Sequence, residues 1–268
     1  MKRFIAIALL LCALLLPAAA QNMRLRLATT TSTQDSGLLP ILNPPFEKLT
    51  GITVDVIAVG TGKALKLGEN GDVDVVLVHD RKAEDKFIAQ GFGVNRRDVM
   101  HNDFVVVGPA EDPAGAARST SATDAFSRIA AAGAPFVSRG DASGTNAKEL
   151  DLWAAVPVKP KGAWYKEAGQ GMGEVLIMSG NLKAYTLADR GTWIAMKDKL
   201  GGLRILVEGD PSLFNPYGVI AVNPQRHPEA NYMAAMQYIA WVTSAQGHKV
   251  IREYTMGGQQ LFTPDAVK

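Results

Sequence analysis

Residues 53–65 read Thr-Val-Asp-Val-Ile-Ala-Val-Gly-Thr-Gly-Lys-Ala-Leu, and residues 73–78 read Val-Asp-Val-Val-Leu-Val. The apolar run 53–59 is typical of a strand, and the glycines that follow it introduce a turn leading into a helix. Residues 73–78 predict a second strand, whose nearly continuous apolar sequence is typical of burial on both faces. A strand, a helix and a strand in this order predict an α/β fold with a largely parallel sheet.

The same alternation continues on both sides of this unit. Leu25-Arg26-Leu27 predicts a preceding strand, followed by a helix that ends at Gly51, a residue suited to a helix C-cap. Residues 81–90 predict a helix that ends before Gly91, and residues 104–108 predict another strand. This first series therefore forms one α/β unit.

A second α/β series follows a Pro- and Gly-containing break at residues 109–115. Its predicted helices and strands alternate over residues 121–132, 136–137, 143–155, 173–179, 183–187, 192–200 and 203–207. Asn215-Pro216-Tyr217-Gly218 then interrupts the series, a strand follows at 219–222, and two helices are expected at 229–243 and 244–254. We therefore assign residues 21–109 and 215–268 to lobe 1 and residues 110–214 to lobe 2.

The first twenty residues have the pattern of a cleaved secretory signal. Lys2 and Arg3 precede an apolar run that ends at Leu16, and Ala18-x-Ala20 offers the small residues that signal peptidase requires. The only cysteine, Cys12, lies inside this segment. The predicted mature chain is thus exported and has no disulfide, thiolate metal site or cysteine nucleophile.

The charge of the mature chain is close to neutral. Removal of Lys2 and Arg3 lowers the Lys and Arg count from 28 to 26, which equals the Asp and Glu count of 26. No basic stripe or block of like charge points to a nucleic acid or a membrane surface as a partner.

Five consecutive hydroxyl residues, Thr29-Thr30-Thr31-Ser32-Thr33, stand between the first strand and the next helix. The start of a helix presents free backbone N–H groups, and hydroxyls placed there can bind an anion together with them. Helix capping alone is the alternative, since Ser and Thr are preferred N-cap residues.

The segment Gly60-Thr61-Gly62-Lys63 has the same position after the second strand. It lacks the spacing of a Walker A loop, and Lys63 is either a ligand or a solvated side chain.

A third junction, Ser138-Arg139-Gly140-Asp141-Ala142-Ser143-Gly144-Thr145, lies in lobe 2. Arg139 offers planar charged donors for an oxyanion, and Asp141 can hold the guanidinium. The alternative is a salt-bridged turn with a capping Ser143. A fourth junction, residues 185–192, contributes Thr186, Asp189 and Arg190, of which the last two can equally form a surface pair.

Catalytic and metal-binding patterns are absent from the sequence. The four histidines, at positions 79, 101, 227 and 248, lack the spacing of a zinc site and are interpreted as structural or surface residues. Ser143 is not in a Gly-x-Ser-x-Gly elbow. The segment Gly169–Gly173 lacks the acidic residue that follows a dinucleotide-binding turn. We therefore predict no catalytic residues, no cofactor and no bare metal cation.

Together the four junctions and residues 74–79 resemble the tungstate-binding periplasmic proteins of ABC importers, within the type II periplasmic-binding superfamily. The resemblance spans essentially the full length, although Asp80-Arg81 stands where that family continues with small residues and proline. It implies two lobes, each a mostly parallel sheet flanked by helices, with a ligand cleft between them. It also implies a periplasmic monomer that delivers tungstate, or molybdate, to a membrane permease.

The candidate oxyanion ligands on these segments are Thr30, Thr31, Ser32, Thr61, Gly62, Arg139, Ser143, Gly144, Thr145 and Thr186. The candidate supporting residues are Asp141, Asp189, Arg190 and Lys63.

Three alternative functions stay open at this point. The Arg-x-Asp-x-Ser-Gly-Thr pattern is also similar to phosphate-binding proteins of ABC importers, and protonated phosphate benefits from a carboxylate acceptor such as Asp141. Tungstate carries no proton and is repelled by a carboxylate, so the hydroxyl-rich lobe 1 favours tungstate. An extracytoplasmic enzyme and a sensor domain on the same fold are the other two alternatives.

Overall fold

The computed structural model describes residues 23–256 and 258–265. The predicted signal peptide, residues 1–20, lies outside the described residues. The strands are β1 Arg24–Thr30, β2 Thr53–Val59, β3 Val75–Val78, β4 Gly93–Pro109, β5 Phe136–Ser138, β6 Tyr165–Glu167, β7 Thr186–Asp189, β8 Leu203–Val207, β9 Phe214–Val222, β10 Thr255–Met256, β11 Gln259–Gln260 and β12 Thr263–Pro264. The helices are α1 Thr31–Asp35, α2 Leu39–Thr50, α3 Thr61–Asn70, α4 Arg81–Ala89, α5 Ala122–Ala131, α6 Gly144–Ala154, α7 Met172–Leu182, α8 Arg190–Met196, α9 Tyr232–Val242 and α10 Ala245–Glu253.

Strand β1 lies at the centre of the first sheet region. It pairs in parallel with β2 on one side and with β3 on the other. The helices α2 and α3 make the crossover connections that parallel neighbours need. The α/β prediction from residues 53–78 is therefore confirmed, and so are the strand 53–59 and the C-cap Gly51, whose φ is 71°.

The sheet is mixed rather than mostly parallel. Strand β9 inserts between β3 and β4 and runs antiparallel to both. The last part of β4 pairs antiparallel with β7 and with β8. The sequence shows an apolar run but not its direction, and the returning strand β9 is the reason that the expectation of a mostly parallel sheet was wrong.

Strand β4 is much longer than its apolar part. The sequence predicts a strand at 104–108, whereas β4 begins at Gly93 and pairs with β9 from Gly93 to Asp103. Beyond Asp103, β4 pairs with β7 and β8 instead. Strand β4 ends at Pro109 and β9 begins at Phe214, next to the two predicted lobe boundaries. The division into lobes itself stays a prediction.

Three groups of buried apolar side chains hold these layers together. One contains Phe126, Phe136 and Trp153 and packs α5 and α6 against the strands of the second series. Another contains Val76, Phe87 and Ile220 and packs α4 against β3 and β9. The largest joins α2, α9 and α10 to the other face of the first sheet region. In residues 23–256 and 258–265 we find no helix with the length and apolar character needed to span a membrane.

Candidate functional site

The carboxyl ends of β1, β2 and β3 lie side by side, because the three strands are parallel neighbours. A polar residue lies close to each end: Thr31 directly after β1, Thr61 after β2 and Gly60, and His79 directly after β3. In α/β sheets, ligands bind outside the carboxyl ends of the strands. The order of strands therefore places the candidate ligands of the first series at one edge.

The hydroxyl run at the start of α1 forms a buried cluster. Thr30 Oγ1 lies 3.0 Å from Ser32 Oγ and 2.7 Å from Thr33 Oγ1, and it caps α1 by accepting from the Thr33 N–H at 3.2 Å. Ser32 Oγ in turn lies 3.2 Å from His79 Nε2. Thr30 therefore acts as the cap, and its hydroxyl also holds those of Ser32 and Thr33 close together.

Arg139 follows β5 and is almost completely buried, with 2% of its surface exposed. Its Nη2 atom donates to Asp141 Oδ2 at 2.6 Å and to Thr31 Oγ1 at 3.3 Å, so the guanidinium reaches from the second α/β series to the first. The Nε atom of Arg139 has no hydrogen-bond partner in the described part of the chain. A buried charged donor without a partner is costly unless a ligand accepts from it.

A second contact between the two series lies at the start of α6. The backbone N–H of Gly144 donates to Thr61 Oγ1 at 3.1 Å. A β-carbon on Gly144 would lie 3.2 Å from both Thr61 Oγ1 and His79 Nδ1, so a larger residue would be tightly packed here and would require its neighbours to shift. Ser143 caps the same helix by accepting from the Asn146 N–H at 3.2 Å. Thr145 Oγ1 is buried and, among residues 23–256 and 258–265, has no partner.

The residues joined by these contacts form the candidate anion site, at the junction of the two series. Its boundary runs from Thr31 through Arg139 and Asp141 to Gly144, and from there through Thr61 and His79 back to Ser32. Of the candidate ligands, Thr30, Thr31, Ser32, Thr61, Arg139, Ser143, Gly144 and Thr145 lie on or beside this boundary. The exposed Gly62 packs nearby, since a β-carbon there would lie 3.5 Å from Ala142 O.

The remaining candidate residues have other partners or positions. Thr186 donates its hydroxyl proton to Val137 O at 2.8 Å, a bond that ties β7 to β5. Arg190 pairs with Asp103 at 2.5 Å and with Glu208 at 2.6 Å, rather than with Asp189 as the surface-pair alternative expects. Lys63 is exposed. In the described part of the chain, none of these three side chains makes one of the contacts that join the residues of the candidate anion site.

Asp189 is fully buried and caps α8 by accepting from the Thr192 N–H at 2.8 Å. Burial raises the pKa of its carboxyl, and the nearby Arg139 lowers it. Both Asp189 Oδ2 and Thr192 Oγ1 are buried, and within the described residues neither has a hydrogen-bond partner. Thr192 is therefore a buried polar residue that was not among the oxyanion ligands predicted from the sequence.

His79 is the main residue beside the candidate anion site that was not predicted from the sequence to belong to it. It is buried, its ring stacks on Tyr217 with the ring centres 4.7 Å apart, and its two nitrogen atoms contact Ser32 and Asn215. Its pKa is lowered to about 4, mainly by burial and in part by the positive charge of Arg139. A usable signal was its position directly after a buried strand, the same position that Thr31 has after β1.

The donors of the candidate anion site suit a ligand that only accepts hydrogen bonds. The boundary of the site offers hydroxyl and backbone N–H donors and one guanidinium, whose charge is opposed by Asp141. Among the described residues, no three His, Cys, Asp or Glu side chains converge in a way that would hold a metal ion. Many neutral donors around a single cation suit a small oxyanion better than a metal cation.

Comparison with known proteins identifies relatives over most of the chain. A family model described as a PBP superfamily domain matches residues 17–246. The tungstate-binding protein TupA of Peptoclostridium acidaminophilum is 49% identical over 246 residues, which are 90% of this chain and 86% of that protein. Among solved structures, the tungstate ABC transporter from Geobacter sulfurreducens is 60% identical, with a TM-score of 0.80 over 86% of this chain and 98% of the other. The tungstate-binding protein TupA from Desulfovibrio alaskensis G20 is 46% identical, with a TM-score of 0.79 over 91% of this chain and 100% of the other. The chain belongs to the PBP superfamily and, within it, to the family of the tungstate-binding proteins TupA.

Proposed function

We propose that this protein is the extracytoplasmic solute-binding component of an ABC importer and that it binds tungstate, and also molybdate, between its two α/β series. The observation that carries the proposal is the buried Arg139, whose Nε has no partner in the described structure while its Nη2 contacts the hydroxyl run of α1. The names of the relatives supply the identity of the anion.

Binding by such a site depends on closure around the ion. Contacts between the two series come from Arg139 to Thr31 and from Gly144 to Thr61. An anion held by donors of one series gains further hydrogen bonds when the other series closes on it, and this difference in contacts favours the closed state. On closure the dianion exchanges its hydration water for hydrogen bonds from fixed donors of the protein. This mode of binding needs no formal cation besides Arg139.

Tungstate fits the donor set better than phosphate does. Tungstate needs donors alone, and the hydroxyl and N–H groups of the two series supply them, whereas the carboxylate of Asp141 is turned toward Arg139 Nη2 at 2.6 Å and the Ser143 N–H at 3.2 Å. The relatives are binding proteins of transporters, so we propose a transport role without catalysis. We also propose a periplasmic monomer without a cofactor that delivers its ion to a membrane permease.

A thermal-shift series on the purified mature chain tests this function. Tungstate, molybdate, sulfate, phosphate and chloride are compared at equal concentration. A ligand at about 100 times its dissociation constant adds roughly 2.7 kcal/mol to the free energy of unfolding. We expect a large upward shift of the melting temperature with tungstate and a smaller one with molybdate. A shift with phosphate alone would support the phosphate-binding alternative instead.

A further inference from the structure

A line of buried hydrogen bonds leads from the hydroxyl cluster to the two strands that pair in the middle of the molecule. Ser32 Oγ lies 3.2 Å from His79 Nε2, and His79 Nδ1 lies 3.0 Å from Asn215 Oδ1. Asn215 Nδ2 donates to Asn102 Oδ1 at 2.7 Å. All four residues are less than a tenth exposed. Asn215 lies on β9 and Asn102 on β4, so the line joins the anion site to both strands.

The direction of each hydrogen bond in this line follows from its partners. Because Asn215 donates its Nδ2 protons toward Asn102, its Oδ1 faces His79 and must accept from the Nδ1–H. Burial keeps the imidazole neutral, with a pKa of about 4, so it has a single proton. His79 Nε2 is then an acceptor, and the Ser32 hydroxyl proton points to it.

This direction conflicts with the binding of an oxyanion by Ser32. A hydroxyl has one proton, and tungstate accepts hydrogen bonds but donates none. While the Ser32 proton points to His79, Ser32 Oγ can offer only lone pairs to the anion, and these repel it. At the other end of this line, Asn102 also has an unused hydrogen-bonding group. Its Nδ2 is a buried donor that has no partner among the described residues.

We propose that His79 is a positioning residue of the anion site and that anion binding changes its imidazole from the Nδ1–H to the Nε2–H tautomer. In the second form the ring donates to Ser32 Oγ, and the Ser32 proton points to the anion. One proton leaves Nδ1 and one joins Nε2, both exchanged with water, so the charge of the ring is unchanged. The amides of Asn215 and Asn102 rotate, and Asn102 Nδ2 then donates to Asn215 Oδ1. The inference rests on the function proposed above.

The tautomer is measured directly by nitrogen NMR on the mature protein with ¹⁵N-labelled histidine, in the absence and presence of saturating tungstate. His79→Gln assigns the His79 signals by their loss. We expect the Nε2 resonance of an unprotonated nitrogen in the free protein and that of an N–H nitrogen in the complex. The same tautomer in both samples, with tungstate binding shown by calorimetry on the same material, would overturn the inference alone. Failure to bind tungstate would overturn the proposed function as well.

Two substitutions separate the hydrogen bond of His79 from its packing. Phe in place of His79 fills the space without a donor, and we expect about tenfold weaker tungstate binding, the effect of one lost hydrogen bond to a charged ligand. His79→Gln keeps an amide that can donate to Ser32, and its affinity should stay within about threefold of the original. In a Ser32→Ala background, His79→Phe should have little further effect. An equal loss in that background, or equal losses for Gln and Phe, would show that His79 only packs. If His79→Phe does not fold, the NMR result and His79→Gln decide.

Discussion

Arg139 and Asp141 are joined within one loop, with 2.6 Å between Arg139 Nη2 and Asp141 Oδ2. The carboxylate fixes the plane of the guanidinium and balances its charge, so that the arginine can be buried before any ligand arrives. The Nε atom stays available on the same rigid group. Arg139 therefore combines a fixed position with an unused donor, which is what preorganised binding of an anion requires.

Replacement of Arg139 is expected to have the largest effect on tungstate affinity. Arg139→Ala removes the guanidinium of the candidate anion site and leaves Asp141 facing the anion, so binding should weaken about a hundredfold or more. Arg139→Lys keeps the charge but not the planar donors, and it should bind with intermediate affinity. Calorimetric titration measures both variants, and near-original affinity of Arg139→Ala would contradict the role of this residue.

Thr61→Val tests the contact between the two series at Gly144. The substitution keeps the shape of the side chain but removes the oxygen that accepts from the Gly144 N–H at 3.1 Å. Loss of one such bond in the closed state should weaken tungstate binding by about three- to tenfold. Thr120→Val is the matched control, because Thr120 is exposed on the second series. Equal affinities of the two variants would mean that the Thr61 contact does not contribute to closure.

The ion pair between Lys82 and Asp151 should contribute little to binding. It joins α4 to α6 at 2.7 Å, but both side chains are mostly exposed, 80% and 54%. Exposed pairs of this kind contribute little and are screened by salt. Lys82→Met is therefore expected to change the tungstate affinity less than about threefold at moderate salt. A change as large as that of Arg139→Ala would identify this pair as part of the closing mechanism.

The free energy of unfolding should fall in acid in a way that depends on His79. Its pKa is lowered from 6.5 to about 4 in the folded protein, mainly by burial. Between these two values the unfolded chain binds more protons than the folded one, so stability is complete above the unfolded pKa and is lost as the pH falls through the folded pKa. The loss amounts to about 3 kcal/mol. Urea unfolding across this range should show a shallower decline for His79→Gln, and parallel curves would contradict the buried neutral state.

Local patterns in the sequence predict much of the fold because they report burial and chain breaks. The strand at Thr53–Val59, the helix that ends at Gly51 and the helix capped by Ser121 all lie where the sequence places them. The first half of β4 was missed because its pattern is polar, with Arg96, Arg97 and Asp98 in succession. Partner strands, rather than apolar residues, determine that this segment is extended.

The candidate site was predictable to the level of segments but not of single side chains. Hydroxyls and glycines at strand-to-helix junctions identify the loops, and the structure brings three of the four junctions together around Arg139 and Thr61. Sequence does not show which way a strand residue points, so Thr186 was included although its hydroxyl is used by Val137. Nor does it show that His79 meets Asn215, which follows it by 136 positions.

The most direct measurement is a calorimetric titration of the mature protein with tungstate, followed by titration with phosphate on a fresh sample. We predict saturable binding of tungstate at a single site and no measurable binding of phosphate at the same concentrations. Saturable binding of phosphate without binding of tungstate would contradict the assignment of the anion. A complete absence of heat with tungstate, molybdate and phosphate would contradict an oxyanion site at Arg139 altogether.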